Sequence, residues 1–148
     1  MINLSAPDLE QHPPRSPRVK LGGYVHLPRL LDKARSFAAG KHGAFHYNCP
    51  LDQRFFAFTG INADALLAEI KAGKTDGEIL AWVGQHTSRQ PWEIAQWSAW
   101  LSQLGVGSAD MHEWMTGMIK GSGPEREDVF TFFDVLDLDD YASYGGKA

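Results

Sequence analysis

Between Leu27 and Tyr141 no stretch with the apolar spacing of a helix runs beyond about 15 residues before a glycine, a proline or a capping residue interrupts it. A chain cut this way can build only short helices. Leu27, Leu30, Leu31, Ala34, Phe37 and Ala38 recur at three and four residues and define one apolar face, with Arg29, Asp32, Lys33 and Ser36 on the other. Pro28 sits in the first turn and Gly40 follows the end, the usual start and stop signals. Leu51 to Thr59 predicts a short helix closed by Gly60. Asn62 caps the next, with Leu66, Leu67 and Ile70, ending at Gly73. Thr75 and Glu78 form a capping box that opens a helix carrying Ile79, Leu80, Trp82 and Val83, giving a helical hairpin. Pro91 starts a longer helix with Ile94, Trp97, Leu101 and Leu104, stopped by Gly105. Ser108 or Asp110 caps another, with Met111, Trp114, Met115, Met118 and Ile119 inward. After Gly121 to Pro124 the last presents Val129, Phe130, Phe133 and Leu136. Nothing alternates like a strand, although Lys20 to His26 reads as a loop or a short strand.

Ahead of these helices, Pro7, Pro13, Pro14 and Pro17 exclude helix and favour an extended arm, read as residues 1–20, laid on its own domain. Residues 1–60 hold eight Lys or Arg against four Asp or Glu, and residues 61–148 hold six against fourteen. The halves are therefore +4 and −8, so the basic arm and an acidic tail, 138–148, are expected to neutralise each other. In particular, Arg15 and Arg18 should face Asp134, Asp137, Asp139 and Asp140. The net charge of −4 makes nucleic acid an unfavourable partner. At 148 residues, with 43% hydrophobic and 22% charged side chains, one domain spanning 1–148 with one core is expected. No apolar run reaches the roughly 18 residues of a bilayer span. Asp8 and Glu10 stand where a secretory signal needs apolar residues, and Cys49 has no second cysteine to pair with, so a cytoplasmic location is expected.

The densest polar cluster is His42-Gly-Ala-Phe-His46-Tyr47-Asn48-Cys49-Pro50-Leu51-Asp52, placed in a loop where functional groups can be presented. As a catalytic site, Cys49 would be the nucleophile, His46 its base and Asp52 the group orienting the imidazole. As a metal site, His42, His46, Cys49 and Asp52 offer suitable donors, with His26, His86 or His112 as distant ligands, but the spacing lacks paired half-sites. A lone cysteine is more often packing than nucleophile. Of the five tryptophans, Trp97 and Trp114 lie on apolar helical faces. Trp92 and Trp100 fall off them and suit an exposed contact or an oligomer interface, which leaves a homo-oligomer open.

Pro14-Arg-Ser-Pro-Arg18, Leu21-Gly-Gly-Tyr-Val25, Leu27-Pro-Arg29, Leu31-Asp-Lys-x-Arg35, His46-Tyr-Asn-Cys-Pro-Leu-Asp52, Asp76-Gly-Glu-Ile-Leu80, Pro91-Trp-Glu-Ile94 and Leu136-x-Leu-Asp-Asp-Tyr141 together resemble an uncharacterised bacterial domain-of-unknown-function family. The resemblance covers nearly the whole chain. It implies a small, mostly helical bacterial domain to which the basic arm and acidic tail belong, and it brings no activity, cofactor or catalytic residue.

The expected architecture is thus all-α, an irregular bundle of six or seven short helices with an extended N-terminal arm and a C-terminal tail. The expected function is that of a non-catalytic binding or interaction domain, because no complete catalytic constellation appears. A small anionic ligand suits Arg15, Arg18, Arg29, Lys33 and Arg35, since guanidinium forks match carboxylate and phosphate. Its binding residues would be Arg29, Lys33, His46, Tyr47, Asn48 and Asp52. The alternatives are a small enzyme using His46, Cys49 and Asp52, or a metal protein using the same loop. No cofactor follows from these residues.

Overall fold

The computed structural model describes all 148 residues. Seven helices and one two-stranded hairpin make up the fold. Strands β1 (Lys20–Leu21) and β2 (Tyr24–Val25) pair antiparallel, realising the strand option for this segment. The turn needs its glycines: Gly22 and Gly23 sit at φ +58° and +83°, and a Cβ on Gly22 would lie 2.3 Å from Leu80 Cδ1. Helices α1 (Leu27–Ala38), α2 (Pro50–Thr59), α3 (Ala63–Lys71), α4 (Asp76–His86), α5 (Pro91–Gln103), α6 (Ala109–Ser122) and α7 (Phe132–Ser143) follow.

Their ends follow capping chemistry. Asn62 accepts from Ala65 N at 3.0 Å at the start of α3. At α4, Thr75 Oγ1 accepts from Glu78 N while Glu78 Oε2 accepts from Thr75 N, the reciprocal box the spacing predicts. Ser108 rather than Asp110 caps α6. Helix α7 starts later than the apolar pattern suggests. Thr131 and Asp134 form its capping box, which leaves Val129 and Phe130 outside the helix and Phe130 exposed. The segment 138–148 read as a tail is for its first half the end of α7.

One apolar cluster joins the hairpin and α1 to α5 with Phe133 of α7, with Tyr24, Phe55 and Trp97 in edge-to-face contact. A smaller one, Met115, Phe132 and Val135, joins α6 to α7. The chief neighbour of α3 is α1, rather than α4 as in a simple hairpin. Trp114, expected inward, is exposed and touches Phe132 edge-on.

Helix α1 departs most from its pattern. Arg29, Asp32, Lys33 and Ser36, the face opposite the apolar one, are all buried, while Phe37 is 43% exposed. Up to its last turn the helix is covered by the arm, by α3 and α7, and by the loop leading to α2. Its polar residues are buried because other elements bring partners to them. Phe37 packs instead on the loop rings of Tyr47 and His42.

The arm lies on the domain as expected. Pro7, Leu9, Pro14 and Pro17 are buried, and Pro17 O accepts from His26 N at 2.8 Å. No helix is long and apolar enough to cross a membrane.

Candidate functional site

Helix α1 begins at His26, which caps it with a left-handed backbone, φ 69°. That conformation is uncommon for a residue with a Cβ and marks a position held by its surroundings. The held side chain is wholly buried, and its Nε2 lies 2.7 Å from Asp52 Oδ1. Asp52, itself at 0% exposure, sits in the first turn of α2, where its Oδ2 also accepts from Cys49 N and from Lys33 Nζ at 2.7 Å. Lys33 reaches this carboxylate from the second turn of α1. Its ammonium donates further to His46 O and to Cys49 Sγ, each at 3.1 Å. All three ammonium protons therefore have acceptors. Asn48, just before Cys49, adopts φ 63° and turns the loop into α2.

The charge state of this cluster follows from its geometry. Burial pushes the His26 imidazole below its ordinary range more strongly than Asp52 pulls it up. The ring's Nδ1 is buried without a partner, so a second N–H there would be an orphaned donor. Neutral His26 donates through Nε2. Burial also pushes Asp52 up, but the His26 hydrogen bond and the Lys33 charge outweigh it and hold the carboxyl below the usual range. The cluster is then one carboxylate, one ammonium and one neutral imidazole, with no net charge.

Three of the loop and helix candidates thus meet: Lys33, Cys49 and Asp52. The others do not. His46 contributes its backbone carbonyl while its residue is exposed, and Asp52 orients His26 instead of His46, so the expected Cys-His-Asp order is not assembled. The Tyr47 hydroxyl donates to Ala63 O at 2.6 Å, and burial pushes its pKa up. Asn48 O accepts from Gln53 Nε2. No three His, Cys, Asp or Glu side chains come together in a form that could hold a metal ion. His26, considered only as a distant metal ligand, is the residue the sequence reading missed; nothing in its spacing announces a buried role.

Arg29 makes a two-pronged ion pair with Asp140 of α7, at 2.6 and 3.1 Å, and donates to Arg15 O. Its guanidinium also lies 5.6 Å from the Phe45 ring centre. Of the two arm arginines expected to face the acidic helix, Arg18 does so, pairing with Asp134 and Asp137. Arg15 goes elsewhere: it bridges Asp32 of α1 and Asp76 of α4, and Arg35 joins the same Asp76 at 2.7 Å. The reason is position, because Arg15 crosses α1 one turn from Arg29 and meets two carboxylates there first.

A cavity of about 340 Å³ lies elsewhere. It is a groove between the hairpin and α5, lined by Gly22, Gly23, Pro91, Ile94, Ala95, Ser98, Ala99 and Ser102, with Lys20 at its rim. Its hydroxyls are already engaged: Ser98 donates to Gly23 O at 2.6 Å and Ser102 to Ser98 O at 2.7 Å. Beside it Trp92 stands 64% exposed. The groove offers shape and apolar surface, with both serine hydroxyls donated inside the protein and the Lys20 ammonium at its edge.

A family model described as a domain of unknown function, DUF5069, matches residues 11–142, from within the arm to within α7. None of the curated proteins compared with the chain matches it.

Proposed function

The chain belongs to the DUF5069 family, and from that premise we propose that it is a non-catalytic interaction domain that recognises its partner through the exposed aromatic residues of α5 and the adjoining groove. The observation that carries this reading is how the reactive groups are engaged. Both Asp52 oxygens and every Lys33 proton are bonded inside the protein, and Arg29 is bonded to Asp140 and Arg15. A catalytic base or nucleophile needs a free lone pair facing a site that substrate can enter. On α5, by contrast, Trp92 is open to solvent beside a preformed groove, and Trp100 is half exposed with the Arg54 guanidinium 5.5 Å over its ring.

The buried cluster, in this reading, is the device that fixes the loop and α2 against α1. The competing reading uses Cys49 as a nucleophile, and an activated ester separates the two. With p-nitrophenyl acetate the native protein is expected to release no more than one equivalent of product per chain, from simple thiol acylation. Turnover beyond one equivalent that disappears in Cys49→Ser would overturn the proposal in favour of the enzyme.

A further inference from the structure

Separately from the α5 surface, we propose that Lys33 and Cys49 form a redox-dependent cross-link: hydrogen peroxide oxidises the Cys49 thiol to a sulfenic acid, and the Lys33 amine displaces its oxygen to leave a reducible sulfur–nitrogen bond between α1 and the start of α2.

The two groups come from different elements and are already set against each other. The Lys33 side chain is only 4% exposed, and it directs one N–H at Cys49 Sγ, 3.1 Å away and 16 residues further along the chain. That separation falls within the roughly 3–3.5 Å at which reacting atoms are held in a productive encounter. The other two ammonium protons go to His46 O and Asp52 Oδ2, which fix the nitrogen beside the sulfur. Cys49 itself is half-buried, so a reagent as small as peroxide reaches the sulfur while the amine stays inside the protein.

The usual fates of a sulfenic acid are closed to this one. The sequence holds one cysteine, so no disulfide forms within it. The backbone nitrogen that follows belongs to Pro50, which has no hydrogen to lose, so a sulfenamide with the next residue cannot form. The side-chain nitrogen in contact with the sulfur is Lys33 Nζ.

Asp52 balances the reaction. The sulfur attacks one oxygen of hydrogen peroxide, the O–O bond breaks, and the departing hydroxide takes the thiol proton and leaves as water. Sulfur gives up two electrons and the peroxide gains them. Lys33 then passes one proton to Asp52 Oδ2, 2.7 Å away. Its amine attacks the sulfur, the S–N bond forms, the S–O bond breaks, and the hydroxide leaves as water with a second amine proton. One N–H stays on the bridging nitrogen. A carboxylate at 0% exposure that loses its counter-charge is driven to the neutral acid, so burial favours the proton on Asp52. The cluster has no net charge before or after, and the reaction strands no charge in the interior. Small thiols reverse it: one attacks the sulfur and frees the amine, which recovers the Asp52 proton, and a second releases Cys49 as the thiol with the disulfide of the two reductants. While closed, the bond pins both ends of the segment that carries the Phe37, His42 and Tyr47 rings.

The test treats the full chain, reduced and then freed of thiol, with a few equivalents of hydrogen peroxide at neutral pH, and reads its peptides by mass spectrometry under thiol-free conditions. The expected product is a pair of peptides joined through Lys33 and Cys49, about 2 Da lighter than the sum of its reduced parts and separated again by dithiothreitol. Peptides are read because the four methionines also take up oxygen. In urea, where the contact is lost, the same treatment should give no joined pair, and Cys49 should instead gain about 16–48 Da of oxygen. Cys49→Ser should give no joined pair in native buffer. A native Cys49 that only gains oxygen, stays a free thiol or joins another lysine overturns the proposal, as does a joined pair that forms equally in urea. A pair about 14 Da heavier than its parts, with oxygen kept between nitrogen and sulfur, overturns the direct bond.

Discussion

Asp52 holds two groups at once, and removing either partner exposes a different weakness. Lys33→Met leaves a buried carboxylate without its counter-charge, which costs about 3–5 kcal/mol. Urea denaturation of Lys33→Met beside Lys33→Met/Asp52→Asn checks this, because the double variant removes the stranded charge and should recover part of the loss. His26 governs the response to acid. Its folded pKa lies below the unfolded value of about 6.5, so the unfolded chain binds the extra proton as pH falls past that point. Stability is then full above about pH 6.5 and declines below it. Asp52, also lowered, adds a further loss at more acidic pH, and Asp140, raised by burial despite Arg29, opposes it in that lower range. Between about pH 5 and 6.5 the slope belongs to His26. Urea midpoints measured across that window should fall with pH in the native chain and stay nearly flat in His26→Asn, which tolerates the same left-handed backbone. A flat native profile would mean that His26 is charged in the fold.

At the scale of elements, the arm and the hairpin carry the sharpest expectations. Arg18 is nearly half exposed, so Arg18→Ala should cost no more than about 1 kcal/mol. Deleting residues 1–18 removes buried Pro7, Leu9, Pro14 and Pro17 together with Arg15, and should lower Tm by on the order of 10 °C. Differential scanning calorimetry of the two variants separates charge from packing. Gly22→Ala forces a left-handed alanine against Leu80 and should cost about 2–4 kcal/mol. Adding Leu80→Ala should return only the steric part, as read from urea midpoints.

The same elements show what was legible beforehand. Thr75, Asn62, Pro91, Gly73 and Gly105 act locally, so their signals mark α3, α4 and α5 directly. Helix α1 was legible as a helix but not in its environment. Its polar residues find Asp52, Asp140, Arg15 and Asp76 only through folding, and no periodicity encodes a partner 111 residues away, as for Arg29 and Asp140. The loop 40–52 was recognisable as polar and dense, and Lys33, Cys49 and Asp52 do meet. The intervention of His26 in place of His46 was not readable, because it depends on the hairpin delivering His26 to the mouth of α1.

Across the whole molecule, the opposing charges of the two halves meet where Arg18 faces α7 and Arg29 faces Asp140. Tyr144 of the closing segment donates its hydroxyl to Leu9 O in the arm, and Ser16 donates to Asp137. These contacts tie the arm to α7 and the segment just after it, which a ribosome makes later than α1 to α6. During synthesis the arm has no α7 to settle on, and Arg29 is without its carboxylate, until residues 132–143 have emerged. Helices α1 to α5 can gather around their shared apolar cluster sooner, but the flank beside the arm closes only once α7 is made, so a chain stalled before α7 is left with an unsealed flank and Arg29 without its ion-pair partner.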